Sequence, residues 1–131
     1  MHIRKTTVIL ILIIALAALL RLYQLDRIPS GFIPEEVSNG WNAYNLLKTG
    51  RDEWGVRLPI VFRETGGYKL ALNSYLIVPS MALFGVNEFA VRLPAAMVGI
   101  VSVYLTYLLS KLLFKKESYA LSAAFLLAIS V

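Results

Sequence analysis

The sequence predicts an all-α integral membrane protein, a multi-span helical bundle in which an external segment carries interfacial amphipathic helices. Two observations support this fold class. Of the 131 residues, 58% are hydrophobic and 16% are charged, whereas soluble domains carry about 25% charged residues. The apolar residues are also gathered into runs that approach the length needed to cross a bilayer, and charged segments separate these runs.

A first span is predicted over residues 6–25. Residues 8–20 are all apolar, and about 20 predominantly apolar residues cross the hydrocarbon core of a bilayer. Arg21 lies near the outer end, from which its long side chain can reach the headgroups. The alternative is a cleaved signal peptide, with Ala15 and Ala17 as the small residues of its cleavage pattern. Because the apolar run continues beyond them and further spans follow, we prefer an uncleaved anchor.

Residues 26–88 form a segment of mixed charge that holds seven of the eight acidic residues. An amphipathic surface helix is predicted over residues 34–48, because apolar residues recur there at steps of three and four. Pro34 suits the first helical turn, and Lys48 suits the last turn, where the helix dipole is negative. A second interfacial or partly inserted helix is predicted over residues 70–84, a run that is short for a span.

A second span is predicted over residues 89–113, and residues 118–131 are predicted to begin a third. Basic residues lie before the first span and in the turn between the second and third, namely Arg4, Lys5, Lys111, Lys115 and Lys116. Because cytoplasmic loops are enriched in Lys and Arg, the N-terminus is predicted to be cytoplasmic and residues 26–88 external. The expected location is the plasma (inner) membrane, in a multi-pass arrangement among membrane lipids.

Composition argues against several other classes of function. The formal net charge is +5, but the basic residues flank apolar runs and form no stripe with interleaved aromatics, so nucleic-acid binding is not expected. Cysteine is absent, which excludes disulfides and thiolate metal sites. The single histidine, His2, excludes a metal site built from several histidines.

The adjacent carboxylates Glu35 and Glu36 are the candidate catalytic residues. Neighbouring positions on a helix point about 100° apart, so the two carboxylates are not expected to face the same reaction site. One of them is expected to act as a general base that removes a proton from an attacking hydroxyl or amine. The alternative is that both only complement the positive end of the helix dipole.

Lys69 and Arg92 are the candidate ligands for the phosphate of a lipid-linked donor. Lys69 lies where the polar segment becomes apolar, and its ammonium offers a point charge to a phosphate oxygen. Arg92, near the outer end of the second span, can bind a phosphate through two parallel hydrogen bonds. Both also suit the alternative of anchoring the chain at the membrane interface. No cofactor or metal site is assigned, although the loop carboxylates Asp52 and Glu53 are candidate ligands for a divalent cation.

A series of short motifs follows the first span in a fixed order. The motifs are Glu35-Glu36, residues 40–50, Asp52-Glu53-Trp54-Gly55, Gly67-Tyr68-Lys69, residues 83–88 and Ala90-Val91-Arg92-Leu93-Pro94. In order and spacing this series resembles the N-terminal part of the GT-C membrane glycosyltransferases. The most similar branch is that of the protein O-mannosyltransferases and the bacterial lipid A aminoarabinose transferases. The resemblance extends from about residue 22 to residue 131.

The resemblance implies an inverting transfer of a sugar from a polyprenyl-phosphate donor to a lipid, glycan or protein acceptor. The family's Asp-Glu pair, which supplies its catalytic base, falls on Glu35 and Glu36. The family lysine that approaches the donor phosphate falls on Lys69, and its Arg-Leu-Pro element begins at Arg92. Two departures stand out, because Glu35 takes the place of an aspartate and Leu70 begins the pair that replaces two prolines.

The resemblance also implies that residues 1–131 are the N-terminal fragment of a longer hexosyl or pentosyl transferase, inactive by itself, because the family's enzymes have many more spans. One alternative is a small non-catalytic membrane anchor or assembly subunit. Another is a piece of a transporter. The transporter is disfavoured because the predicted spans carry no charge near mid-bilayer.

Overall fold

The computed structural model describes residues 2–64 and 66–130. The helices of this part of the chain are α1 (His2–Leu22), α2 (Pro34–Thr49), α3 (Leu72–Phe84), α4 (Glu88–Phe114) and α5 (Glu117–Ile129), and its strands are β1 (Val61–Glu64) and β2 (Gly67–Leu70). Contacts divide the chain into two compact units, one of residues 1–23 with 96–131 and the other of residues 24–95. Helix predominates, as the sequence predicts, and the hairpin of β1 and β2 departs from the all-α expectation.

Two of the described helices are long and apolar enough to cross a membrane. They are Lys5–Leu22, with a mean hydropathy of 2.3, and Glu88–Phe114, with a mean hydropathy of 1.8. Only 11% and 17% of these two segments are buried within the protein, whereas a core helix of a soluble protein is mostly buried.

The predicted spans differ from the helices mainly at their ends. The last three residues of the span predicted over residues 6–25 lie outside α1, which ends at Leu22, and form turns. The span predicted over residues 89–113 agrees with α4 to within one residue at each end. The segment predicted over residues 118–131 corresponds to α5, which ends at Ile129, and residue 131 lies outside the described residues.

In the unit of residues 1–23 and 96–131, α5 packs through a stripe of small side chains. Ala120, Ala124 and Ala128 recur every four residues on α5 and are fully buried. They belong to one apolar cluster with Ile13 and Ala17 of α1. Small side chains let helix backbones approach closely, which favours helix association inside a membrane. The alanine stripe therefore defines the contact between α1 and α5.

Arg21, near the end of α1, caps the end of α5. Its guanidinium donates hydrogen bonds to the carbonyl oxygens of Leu127 at 2.8 Å, Ala128 at 2.9 Å and Ser130 at 2.9 Å. The last carbonyls of a helix have no partner within the helix itself. The expectation that Arg21 reaches for the headgroups therefore needs correction, because its donors bind the end of α5.

In the unit of residues 24–95, α2 packs against α3. Ala43 of α2 is buried in one cluster with Ile77 and Met81 of α3. The helix predicted over residues 34–48 forms as Pro34–Thr49 and stops at Gly50, which adopts a left-handed conformation (φ 67°) that glycine accepts readily.

The hairpin of β1 and β2 is the element that sequence analysis does not predict. Phe62 of β1 lies opposite Lys69 of β2 in an antiparallel pair. Phe62 is fully buried in a cluster with Leu46 of α2 and Ala71. Because opposed residues project from the same face of a sheet, Lys69 lies on the face of the hairpin that packs on α2.

The hairpin also corrects the prediction for the following helix. The helix predicted over residues 70–84 begins at Leu72, because Leu70 completes β2. Pro79 lies inside this helix without ending it, and the helix continues to Gly85, whose N–H donates to the carbonyl of Met81 at 2.9 Å.

Candidate functional site

The N-terminus of α2 places the two candidate catalytic carboxylates. Pro34 opens the helix, and Glu35 and Glu36 follow in its first turn, where carboxylates interact favourably with the helix dipole. The Glu36 carboxylate accepts a hydrogen bond from the backbone N–H of Ile33 at 3.2 Å. This contact satisfies a backbone donor just ahead of the helix and fixes the direction of the Glu36 side chain.

Glu36 forms a bidentate pair with Arg92. The Nε and Nη2 atoms of Arg92 donate to the two carboxylate oxygens of Glu36 at 2.9 and 3.1 Å. The Arg92 side chain is only 6% exposed and that of Glu36 is 21% exposed. The hydrogen bond from Arg92 lowers the pKa of Glu36 from its ordinary value, and the Ile33 N–H acts in the same direction against the effect of burial. Glu36 is therefore held in its ionised form.

The remaining donors of Arg92 bind the backbone just after α1. Nη1 donates to the carbonyl oxygen of Leu25 at 3.1 Å, and Nη2 donates to that of Gly31 at 2.6 Å. Glu88, one turn earlier on α4, lies 3.6 Å from Nη1, and the guanidinium lies over the ring of Phe32 at 5.7 Å. All three guanidinium nitrogens of Arg92 thus have partners within this unit.

Lys69, the other candidate phosphate ligand, is bound by two side chains. Its ammonium forms an ion pair with Glu64, across the hairpin turn. It also donates to the hydroxyl of Ser38 at 2.5 Å, and that hydroxyl donates to Glu64 at 2.8 Å. The hydrogen bond from Lys69, followed by that from Ser38, lowers the pKa of Glu64. The three groups form a closed triangle between α2 and the hairpin.

A polar cleft of about 400 Å³ joins this triangle to Glu35. Its lining residues are Pro34, Glu35, Ser38, Glu53, Trp54 and Glu64. Glu35 and Ser38 are three positions apart on α2, so they lie on one side of the helix. Within the described chain, the exposed Glu35 carboxylate has no hydrogen-bond or ion-pair partner, so it is accessible to a ligand that enters the cleft.

Glu36 lies in a different pocket from Glu35. A mainly apolar pocket of about 520 Å³ is lined by Phe32, Glu36, Val37, Gly40, Trp41, Tyr44, Met81, Val86, Asn87 and Val91. The two adjacent carboxylates therefore face different surroundings, as their positions on a helix predict. The structure brings Glu35 close to the Lys69 triangle and brings Glu36 together with Arg92. The four predicted site residues therefore form two separate groups, Glu35 with Lys69 and Glu36 with Arg92.

Asp52 and Glu53, the candidate cation ligands, have different surroundings. Asp52 is buried, and its Oδ1 accepts the backbone N–H groups of Trp54 at 3.0 Å and Val56 at 2.8 Å, which folds the chain into a turn. Glu53 is exposed and lines the cleft. Across residues 2–64 and 66–130 no group of three or more His, Asp or Glu side chains is arranged to hold a metal ion, so the divalent cation stays a prediction.

Ser38, Glu64 and Trp54 are cleft residues that sequence reasoning did not assign. Ser38 could have been predicted, because it follows Glu35 by three residues on a predicted helix and therefore lies on the same side of it. Glu64 could not have been predicted, because its approach to Lys69 depends on the register of a hairpin that the sequence does not predict. Trp54 is held in place by its indole N–H, which donates to the carbonyl of Arg63 at 2.9 Å.

The described part of the chain is mostly helical, and two of its helices are long and apolar enough to cross a membrane. Residues 71–131 match the family model described as dolichyl-phosphate-mannose-protein mannosyltransferase. This match supports the resemblance to the GT-C glycosyltransferases over this part of the chain. No curated protein and no solved structure matches the chain. The matched region contains Arg92 but not Glu35, Glu36 or Lys69.

Proposed function

We propose that the chain is part of a glycosyltransferase that moves a sugar from a polyprenyl-phosphate donor to an acceptor, with inversion at the anomeric carbon. The observation that carries this proposal is the cleft in which the unpaired Glu35 carboxylate lies beside the Ser38–Glu64–Lys69 triangle. A free carboxylate and a nearby fixed cation are the two groups that such a transfer requires. The family match over residues 71–131 supports the same reaction class.

Glu35 is the proposed general base. Its carboxylate removes the proton from a hydroxyl or amine of the acceptor while that atom attacks the anomeric carbon. The bond between this carbon and the phosphate oxygen breaks, and polyprenyl phosphate leaves with the electron pair. Because Glu35 is exposed and lacks a partner in the described chain, it can make this contact without breaking an existing interaction.

Lys69 is the proposed ligand of the donor phosphate. As charge develops on the leaving phosphate, a fixed ammonium lowers the energy of the transition state. Ser38 and Glu64 hold the ammonium of Lys69 next to the cleft. A phosphate that approaches Lys69 would compete with Glu64 for the same ammonium protons, so Glu64 both orients Lys69 and offsets its positive charge before the donor binds.

Arg92 has a different proposed role from the phosphate contact that the sequence suggests. Each of its guanidinium nitrogens is engaged with Glu36 or with backbone carbonyls, and a phosphate would have to displace these partners. We assign Arg92 and Glu36 to positioning, because together they hold the start of α2. The carboxylate of Glu35 is adjacent to that fixed point.

The proposed setting is the external face of the plasma (inner) membrane. Residues 26–88, which contain the cleft, follow one apolar helix and precede another, and the basic residues before α1 and after α4 favour a cytoplasmic location for those ends. The proposed acceptor is a lipid, a glycan or a protein at that external face.

The test of this function is a sugar-transfer assay with a radiolabelled polyprenyl-phosphate sugar as donor. The assay uses the protein in the full length at which it occurs in its native membrane. Glu35→Gln should lower kcat by about 10²- to 10⁴-fold, the usual contribution of a general base, with little change in donor affinity. Glu35→Asp should retain part of the activity, because it keeps the carboxylate.

Asp26→Asn is the matched control, because Asp26 is also an acidic residue on the same segment, but its side chain is 58% exposed, forms an ion pair with neighbouring Arg27 and does not line the cleft. Its turnover should equal that of the unaltered protein. Full turnover by Glu35→Gln would refute the assignment of the base, and failure of every form to use the donor would refute the reaction class.

A further inference from the structure

Helix α3 buries its serines and exposes its leucines. Ser74 is fully buried and its hydroxyl donates to the side chain of Asn39 of α2 at 3.4 Å, while Ser80 is 7% exposed. Leu72, Leu76 and Leu83, which recur along the opposite side, are 68%, 41% and 78% exposed. A helix on the surface of a water-soluble protein shows the reverse arrangement. The outer side of α3 is therefore suited to an apolar environment.

The hairpin exposes an apolar face of its own. Tyr68 and Leu70 alternate with the inward-facing Lys69, and their cross-strand partners are Arg63 and Val61. Tyr68 is 77% exposed and Leu70 is 73% exposed. Apolar side chains accompanied by a tyrosine and an arginine are the usual composition of a surface at the boundary between lipid and water.

These two exposed surfaces adjoin each other along the chain. Leu70 ends the hairpin and Leu72 begins α3, while Ala71 between them is buried under the hairpin. At its other end α3 is fixed beside the start of α4, because the rings of Phe84 and Phe89 meet edge to face with centroids 5.3 Å apart. The helix that starts there is apolar and long enough to enter a bilayer.

We propose that the outer face of the hairpin and the leucine side of α3 form one membrane-contact surface, and that the bilayer lipid itself covers it. The lipid is favoured over a protein partner because α3 leads directly into α4, so its exposed side lies where a membrane begins. Lys69 projects from the opposite face of the same strand as Tyr68 and Leu70. This surface would therefore hold the Lys69 ammonium at the level of lipid phosphates.

The absence of cysteine makes a direct test practicable. Single cysteines placed at Tyr68, Leu70 and Leu83 in the full chain are labelled with an environment-sensitive fluorophore, and the protein is reconstituted in phosphatidylcholine vesicles. Lipids that carry a spin label near the headgroup should remove most of the fluorescence at all three positions. A label at Leu105 of α4, which is 55% exposed, is the positive control in vesicles whose lipids carry the spin label on the acyl chain, because this residue lies well inside the apolar helix.

A label at Glu53, an exposed residue that lines the polar cleft, should keep its fluorescence and serves as the negative control. Labels at Tyr68 and Leu70 that escape quenching while Leu105 is quenched would overturn the proposal. Protection of those labels from aqueous iodide without quenching by lipid would overturn it too, in favour of contact with a second copy of the chain. Because no sugar transfer is measured, the result is independent of the proposed enzymatic function.

Discussion

Glu36 and Arg92 lie 56 positions apart in the chain, yet they form a bidentate pair with hydrogen bonds of 2.9 and 3.1 Å. This pair fixes the first turn of α2 to the first turns of α4. Because Arg92 also binds the carbonyls of Leu25 and Gly31, one side chain connects three segments of the unit. The position of neighbouring Glu35 depends on this junction.

Breaking the pair should destabilise the protein strongly. Arg92→Gln removes one partner of a largely buried ion pair and leaves Glu36 uncompensated, which costs about 3–5 kcal/mol. Thermal unfolding in detergent, followed by circular dichroism, should show the loss. The double variant Glu36→Gln with Arg92→Gln should lose less stability than the sum of the losses in the two single variants. Arg27→Gln, at an arginine that is 75% exposed, is the control and should leave the melting temperature unchanged; equal effects at both arginines would contradict the assignment.

The same pair predicts how stability depends on pH. The pKa of Glu36 is lowered in the folded protein, chiefly by the hydrogen bond from Arg92. The folded state therefore binds fewer protons than the unfolded chain, and ionisation of Glu36 adds stability above the ordinary glutamate value of 4.5. That stability is lost as the pH falls from about 4.5 through the lowered pKa. Unfolding measured between neutral and acidic pH should show the loss, and Glu36→Gln should flatten this part of the profile; an unchanged profile would exclude Glu36 as its source.

The elements that could be predicted from sequence are those specified by local patterns. The helix over residues 34–48 was predicted from its apolar period and its end signals, and it forms with nearly the same bounds. The hairpin could not be predicted in this way. Its strands have four residues each, and what holds them is the burial of Phe62 against α2, which is a tertiary contact.

The site was predictable residue by residue but not as an arrangement. Glu35, Lys69 and Arg92 were each singled out by residue type and position. The partners of the two cations, Glu64 for Lys69 and Glu36 for Arg92, depend on hairpin register and on helix packing across long sequence separations. Local sequence carries no information about such pairings, and they are what separates Arg92 from the cleft.

Lys69 offers a test of donor recognition. If its ammonium binds the donor phosphate, Lys69→Gln removes one charge-assisted hydrogen bond, which contributes about 1.5–3 kcal/mol. The KM for the polyprenyl-phosphate sugar should therefore rise by roughly 10- to 100-fold, with a smaller change in kcat. Lys48→Gln is the matched control, because Lys48 lies at the far end of α2 over the ring of Tyr44. An unaltered KM in Lys69→Gln would remove Lys69 from the donor site.

Gly99 of α4 is predicted to be a packing position that protects the cap on α5. A methyl group at this position would lie 2.8 Å from Nε and 3.1 Å from Cδ of Arg21, so the Arg21 side chain would have to move away from the α5 carbonyls. Overpacking costs about 1–3 kcal/mol, and the better helix propensity of alanine returns up to about 1 kcal/mol, so Gly99→Ala should lower stability by about 1–2 kcal/mol, measured as a lower melting temperature in detergent. Gly67→Ala is the control, because an added methyl there meets nothing within 4 Å.

The double variant tests whether Gly99 acts through Arg21. If the effect of Gly99→Ala on stability shrinks once Arg21 is replaced by Gln, the cap is what the glycine protects. If the two changes destabilise additively, the two residues act independently and the proposed coupling is wrong.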